Sequence, residues 1–208
     1  MKILVVDDHP IVRSGLRRLL AAEPGFTVRE AANGREALAA FREYRPDLVV
    51  LDLSMPGMGG LDVVGRLKLE NPAVRILILS MHQEAIYVTR ALQAGAAGFI
   101  SKSAPADRLL EAIKRVAAGH AYIEHDIAQE LALAHVRAPG TPLQDLSPRE
   151  FEILRLLGDG SSLGQIADAI GISYKTAANT CGQLKAKLGV ARTADLVRIA
   201  IQNGIAGP

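Results

Sequence analysis

Five short apolar runs, each followed by a stretch whose apolar residues recur at helical spacing, fill the first 120 residues of this 208-residue chain. Lys2–Asp7 is rich in Val and Ile and reads as a strand buried on both faces. Val12, Leu16, Leu19 and Leu20 then mark one helical face. Phe26–Glu30 is a second, shorter strand, and Asn33-Gly34 opens a helix carrying Ala37, Leu38 and Phe41. Pro46 breaks that helix before a third strand, Asp47–Asp52. Leu61, Val64 and Leu67 mark the next helix, which ends near Asn71-Pro72. Val74–Ser80 is the fourth strand, followed by a helix from Ile86 to Ala94. Gly98–Ser101 is the fifth strand, and Pro105–Ala118 the last helix of the series. Such alternation predicts an α/β doubly wound fold, a five-stranded parallel sheet with helices on both faces.

In sheets of this kind a ligand site lies at the carboxyl ends of the strands. Asp7 and Asp8, Asp52, Ser80 and Lys102 end or directly follow strands one, three, four and five, so the fold gathers them into one cleft. Adjacent carboxylates where desolvation is costly repel each other and call for a positive partner. Oxygen-only ligands suit a hard cation, and Asp7, Asp8 and Asp52 can hold Mg²⁺ while leaving positions open for water and a phosphoryl group. Asp52 is then a candidate nucleophile that attacks phosphorus to give an aspartyl phosphate. Lys102 can pair with the phosphoryl oxygens as a point charge, and Ser80 can donate a hydroxyl hydrogen bond. Plainer readings stand beside these: Asp8 as a helix N-cap with Pro10 in the first turn, Lys102 as a solvated charge, Ser80 as a turn residue. No packing argument, however, puts acids and a lysine at the same sheet edge.

Composition narrows the class. No apolar run approaches the ~18 residues of a membrane span. The N-terminus lacks a signal-peptide pattern and Cys181 is the only cysteine, so a cytoplasmic protein without a disulfide framework or membrane partner is expected. Cys181 can be a redox-sensing thiol or, as a lone helical cysteine, a small buried hydrophobe. Residues 141–208 hold 7 Lys/Arg against 6 Asp/Glu, so no strong basic field marks the C-terminal part.

After residue 120 the alternation stops. Residues 121–145 read as a linker with one possible helix over Asp126–Val136 and a turn-rich Ala138-Pro-Gly-Thr-Pro142. Only helices follow. Ser147-Pro-Arg-Glu150 and Ser162-Leu-Gly-Gln165 are capping boxes, and Gly171-Ile-Ser173 is a tight turn before a helix from about Tyr174 to Leu188. A final helix covers about Thr193–Asn203. Short helix, Gly-containing turn and longer helix make the helix-turn-helix plan, so residues 146–208 form a small all-α domain.

Asp7-Asp8, Asp52-Leu-Ser-Met-Pro-Gly-Met-Gly-Gly-Leu61, Ser80 and Gly95-Ala-Ala-Gly-Phe-Ile-Ser-Lys102 resemble the receiver domain of two-component response regulators, a flavodoxin-like fold, over about residues 1–120. The resemblance implies Asp52 as phosphoacceptor, with Asp7, Asp8, Asp52 and the backbone carbonyl of Ser54 around Mg²⁺. It further implies Lys102 as the phosphate-binding cation, Ser80 as the switch hydroxyl and Phe99 as the switch aromatic; simple core packing is the alternative for Phe99. Leu146-Ser-Pro-Arg-Glu-Phe-Glu-Ile-Leu-Arg-Leu-Leu157, Ile166-Ala167, Gly171-Ile-Ser-Tyr-Lys-Thr176 and Lys187-Leu-Gly189 resemble the LuxR-type helix-turn-helix. Together the two look like the NarL/FixJ class.

The recognition helix departs from that pattern. The family usually has Thr-Val-Lys-x-His where this chain has Thr176-Ala-Ala-Asn-Thr180. Lys175, Lys185 and Lys187 remain for phosphates, while Thr176 and Asn179 can reach base edges. Leu196, Val197, Ala200 and Ile201 form either a dimer surface or the closing face of the domain core.

The expectation is a response regulator whose Mg²⁺-dependent phosphorylation by a sensor histidine kinase controls double-stranded DNA binding and transcription, as a homodimer when phosphorylated. The rival is a receiver-controlled protein-interaction module whose helix-turn-helix no longer binds specific DNA. An enzyme acting on outside phosphoesters is weakest, because the cleft lacks a general acid or base beyond the metal carboxylates. Self-phosphorylation and self-dephosphorylation are the only chemistry expected.

Overall fold

The computed structural model describes residues 1–137 and 142–206. The chain divides into two compact units: residues 1–83 with 90–130, and residues 84–89 with 131–208.

The first unit is built on β1 (Lys2–Val6), β2 (Thr27–Ala31), β3 (Leu48–Leu51), β4 (Arg75–Ser80), β5 (Gly98–Ser101) and β6 (Tyr122–Ile123). All neighbours are parallel, in the order β2-β1-β3-β4-β5-β6. The helices along residues 1–137 are α1 (Pro10–Ala21), α2 (Gly34–Tyr44), α3 (Gly60–Glu70), α4 (Ala85–Gln93), α5 (Ala106–Ala117) and α6 (His125–Arg137), of which residues 85–89 of α4 and 131–137 of α6 are counted with the second unit. The α/β reading therefore holds, with one addition: Tyr122–Ile123, read from sequence as linker, adds a sixth strand at the β5 edge. Two residues without an apolar run carry too little periodicity to be legible. This compact unit continues to Glu130, past the boundary expected at residue 120. The turn-rich residues 138–141 of the expected linker lie outside the described residues.

The sheet core has two sides because successive strand residues point to opposite faces. Ile3, Val5, Leu48, Val50, Leu77, Leu79 and Ile100 pack with Leu16 and Leu20 of α1 and Leu109, Ala112, Ile113 and Val116 of α5. Their neighbours Leu4, Val6, Val49, Leu51, Ile76, Ile78 and Phe99 are equally buried. That double burial explains why the strands read as continuous apolar runs. Fully burying each Leu, Ile or Val side chain contributes about 1.5–3 kcal/mol.

Register then positions the site. Val6 pairs with Leu51, Leu51 with Ile78, and Ser80 with Ser101. Asp7, Asp52 and Lys102 are the first residues past the ends of β1, β3 and β5. Gly60 lets the loop after β3 close: a Cβ there would lie 2.4 Å from the Asp52 carbonyl oxygen and 2.6 Å from Leu53 Cα.

The second unit carries α7 (Pro148–Gly158), α8 (Leu163–Ile170), α9 (Tyr174–Lys187) and α10 (Thr193–Gln202). Both capping boxes form as the sequence anticipated: Ser147 with Glu150, and Ser162 with Gln165. Gly171 ends α8 in the left-handed region at φ 68°, and Ser173 caps α9. Phe151, Ile153, Leu154, Ile166, Ala177, Leu184, Leu196 and Ala200 form its core.

Candidate functional site

Asp7, Asp52 and Lys102 meet at the carboxyl edge of the sheet. The Lys102 ammonium lies 2.7 Å from Asp52 Oδ2 and 2.8 Å from Asp7 Oδ2. The three side chains are 1% (Asp7), 1% (Asp52) and 8% (Lys102) exposed, so this is a buried ionic cluster and not a surface pair. Backbone contacts fix its floor: the Asp52 N–H donates to the Val6 carbonyl at 2.9 Å, and the Lys102 N–H to the Ser80 carbonyl at 2.8 Å. Asp52 Oδ1 accepts the Ser54 N–H at 3.1 Å, which places Ser54 beside the carboxylate.

Burial raises the Asp52 pKa above its ordinary value; the hydrogen bond and charge of Lys102 and the Ser54 N–H oppose this without cancelling it. Burial works against the Lys102 ammonium, but its contacts with Asp52 and Asp7 outweigh that cost and raise its pKa. The cation is thus held between Asp7 and Asp52, and not between the adjacent pair Asp7 and Asp8 for which the charge argument called.

Asp8 Oδ1 lies 2.8 Å from His9 Nδ1. The N-cap of α1 is His9, which makes no side-chain cap, and Pro10 follows at the first helical position. Reading Asp8 as the cap is therefore corrected: Asp7 Oδ1 accepts the His9 N–H at 2.8 Å, one residue earlier than the capping pattern suggested. Asp7 Oδ2 and Asp8 Oδ1 are buried without a well-formed hydrogen bond, each facing a nitrogen only at ion-pair distance. Asp7, Asp8, Asp52 and His9 each offer a ligand atom, and these atoms lie within 4.8 Å of one another. Carboxylate oxygens gathered this closely fit a divalent cation.

Ser80 is fully buried and its Oγ accepts the His82 N–H at 3.1 Å. Phe99 is also fully buried, so its ring lies inward. Two neighbours escaped the sequence reading. Glu124 Oε2 accepts the Ser101 N–H at 2.9 Å, and Gln83 Nε2 donates to Ser101 Oγ at 2.9 Å. Both depend on β6 and loop placement, which no local pattern encodes. His9 went unread as well, although its place directly after the acid pair was a signal that could have found it.

On α9, Lys175, Thr176 and Asn179 are exposed along one face, and Lys185 is half-buried. Ala177 is fully buried, so it is a packing residue in place of the family's larger apolar side chain. Lys187 is committed elsewhere: its ammonium lies 2.8 Å from the buried Glu150 carboxylate that also accepts the Ser147 N–H. Cys181 is buried, as the packing reading expected. On α10 the four residues separate: Leu196 and Ala200 are buried, Val197 is half-buried, and Ile201 is 60% exposed.

Residues 3–114 match the family described as response regulator receiver domain, and residues 144–200 match bacterial regulatory proteins of the luxR family. The chain belongs to the response regulators. It is 44% identical over 209 residues to the transcriptional activator protein ExaE of Pseudomonas putida, covering 99% of this chain and 98% of that one. To the response regulator GacA of Pseudomonas aeruginosa it is 35% identical, over 99% and 97% of the two chains. Among solved structures, a LuxR-family regulator from Aurantimonas sp. has a TM-score of 0.63 at 44% identity, covering 65% of this chain and 97% of that one. RcsB from Salmonella enterica serovar Typhimurium, solved bound to a promoter in the presence of the phosphomimetic BeF3-, has a TM-score of 0.70. Its identity is 25%, over 99% and 98% of the chains. Receiver followed by LuxR-type helix-turn-helix is the arrangement of the NarL/FixJ class, and transcription regulation is this regulator's class of function. Among the described residues no helix is long and apolar enough to cross a membrane.

Proposed function

We propose that this response regulator, working in the cytoplasm, is phosphorylated on Asp52 by a sensor histidine kinase and that the phosphoryl group controls its binding to double-stranded DNA. The observation that carries this reading is the buried junction of Asp7, Asp52 and Lys102 at the sheet edge. Asp7, Asp8 and Asp52, with the Ser54 carbonyl, would hold Mg²⁺, which supplies charge neutralisation for an incoming phosphate. The chain's own residues do the rest. The Asp52 carboxylate attacks the phosphorus of the kinase's phosphohistidine as the P–N bond breaks and the imidazole leaves with a proton, and Lys102 turns from Asp52 Oδ2 to the new phosphoryl oxygens.

Nearly two negative charges then sit beside Ser80 and Lys102. The Ser80 hydroxyl leaves the His82 N–H to donate to the phosphoryl group, and Phe99 fills the space behind it. That pair of moves biases a two-state equilibrium. The phosphorylated form binds DNA as a homodimer, with Lys175 and Lys185 on phosphates, Thr176 and Asn179 at base edges, and the exposed Ile201 with the half-buried Val197 as the dimer contact. No outside substrate is turned over.

Asp52→Asn should abolish labelling by acetyl phosphate in Mg²⁺, and undiminished labelling would remove the assignment. A second reading, a protein-interaction module, is favoured by the commitment of Lys187 to Glu150 and the small Ala177. Salt titration on duplex DNA separates the two, since phosphate contacts predict affinity that falls steeply with salt.

A further inference from the structure

We infer that His9 makes the acidic cleft a mixed nitrogen–oxygen site that holds a borderline transition-metal ion, Zn²⁺ or Co²⁺, in preference to Mg²⁺. The inference rests on reading the cleft as a dication site and adds one residue and a metal preference to it. His9 Nδ1 lies 2.8 Å from Asp8 Oδ1 and 3.4 Å from Asp7 Oδ1. Its imidazole is the only non-carboxylate donor in the four-residue group whose ligand atoms fall within 4.8 Å of one another. Donors about 2.0–2.2 Å from one Zn²⁺ lie at most about 4.4 Å apart, so small side-chain rotations close the group around an ion.

The backbone is prepared for this. The His9 N–H is held by Asp7 Oδ1, and the residue is pinned between β1 and the Pro10 that starts α1. Its ring remains open to solvent, 62% exposed, so an entering ion can reach Nδ1. On the opposite side Asp7 is 1% exposed, and its Oδ2 faces only the Lys102 ammonium, which stays paired with Asp52 Oδ2.

Ligand type then decides the preference. Mg²⁺ is hard and takes oxygen, so it gains nothing from the imidazole. Zn²⁺ and Co²⁺ bind imidazole nitrogen well, and the Irving–Williams order already favours them over harder ions.

The test is calorimetric titration of the full chain with ZnCl₂, CoCl₂ and MgCl₂, alongside the visible spectrum of the Co²⁺ form, for wild type, His9→Ala and Asp8→Asn. Circular dichroism confirms that each variant is folded. His9→Ala should lower Zn²⁺ and Co²⁺ affinity by about tenfold or more and alter the Co²⁺ absorption bands, with Mg²⁺ affinity unchanged. Asp8→Asn should weaken all three ions. Equal Zn²⁺ affinity in His9→Ala and wild type would overturn the inference while leaving the Mg²⁺ reading intact. Zn²⁺ binding that survives Asp8→Asn lies at another histidine and overturns it as well. Absence of Mg²⁺ binding to wild type would instead overturn the underlying reading of the cleft.

Discussion

Replacing Lys102 by Met is the sharpest physical test of the cleft. In the wild type one ammonium lies within 2.8 Å of two carboxylates, and all three groups are withdrawn from water. Met keeps the length and removes the charge, leaving Asp7 and Asp52 buried together. Breaking a buried ion pair by removing one partner costs about 3–5 kcal/mol, because an uncompensated charge stays behind. Asp52 limits the loss by taking up a proton, since burial has already raised its pKa. Urea unfolding followed by circular dichroism in EDTA should therefore show the first unit destabilised by roughly 3 kcal/mol at neutral pH. Excess Mg²⁺ should restore more stability to Lys102→Met than to wild type, because the ion no longer competes with an ammonium. In an Asp52→Asn background the same substitution should cost less, with a coupling of about 1–3 kcal/mol. The signs with pH follow from the shifts. The raised pKa of Lys102 means its contribution is complete below 10.5 and is lost as pH rises through the folded value. The raised pKa of Asp52 works the other way, lowering stability as pH climbs from 3.8 through its folded value, so Asp52→Asn alone should stabilise the metal-free protein. A loss below about 1 kcal/mol for Lys102→Met, the range of an exposed pair, would refute the reasoning.

Four further outcomes are expected. Gly60→Ala drives a Cβ into the Asp52–Leu53 backbone, so it should cost about 1–3 kcal/mol and slow acetyl phosphate labelling; wild-type labelling and melting would show the loop yields freely. Glu150→Ala removes the acceptor shared by Ser147 and Lys187 and should destabilise the second unit by about 1–2 kcal/mol in thermal melts. Burial works to raise the Glu150 pKa, yet the Lys187 and Ser147 hydrogen bonds leave it below its ordinary value. Its contribution is therefore present above pH 4.5 and lost as pH falls through the folded value, and melts of Glu150→Gln should lack that acid slope. Ala178→Lys, which restores the family's basic residue on α9, should tighten duplex binding and steepen the log–log salt dependence by about 0.9; an unchanged slope would place that position away from phosphate.

Several features were decided by the sequence alone. Double burial of β1, β3, β4 and β5 demands continuous apolar runs, so the strands and their parallel arrangement were legible, and with them the edge where Asp7, Asp52 and Lys102 emerge; the order of the strands in the sheet was not. Capping at Ser147, Ser162 and Ser173 was equally plain, because each is a contact between residues three apart. Tertiary structure decided what depends on distant partners. It committed Lys187 to Glu150, 37 positions away, although its place on α9 had suggested a phosphate contact. It sent Leu196 and Ala200 inward and left Ile201 in solvent, a choice helical periodicity cannot make when every candidate is apolar. It also brought the imidazole of His9 against Asp8 and Asp7 and the Glu124 carboxylate onto the Ser101 N–H. Residue spacing specifies which groups a strand or helix presents on each face. Which charged group each one meets depends on register and packing between segments far apart in the chain.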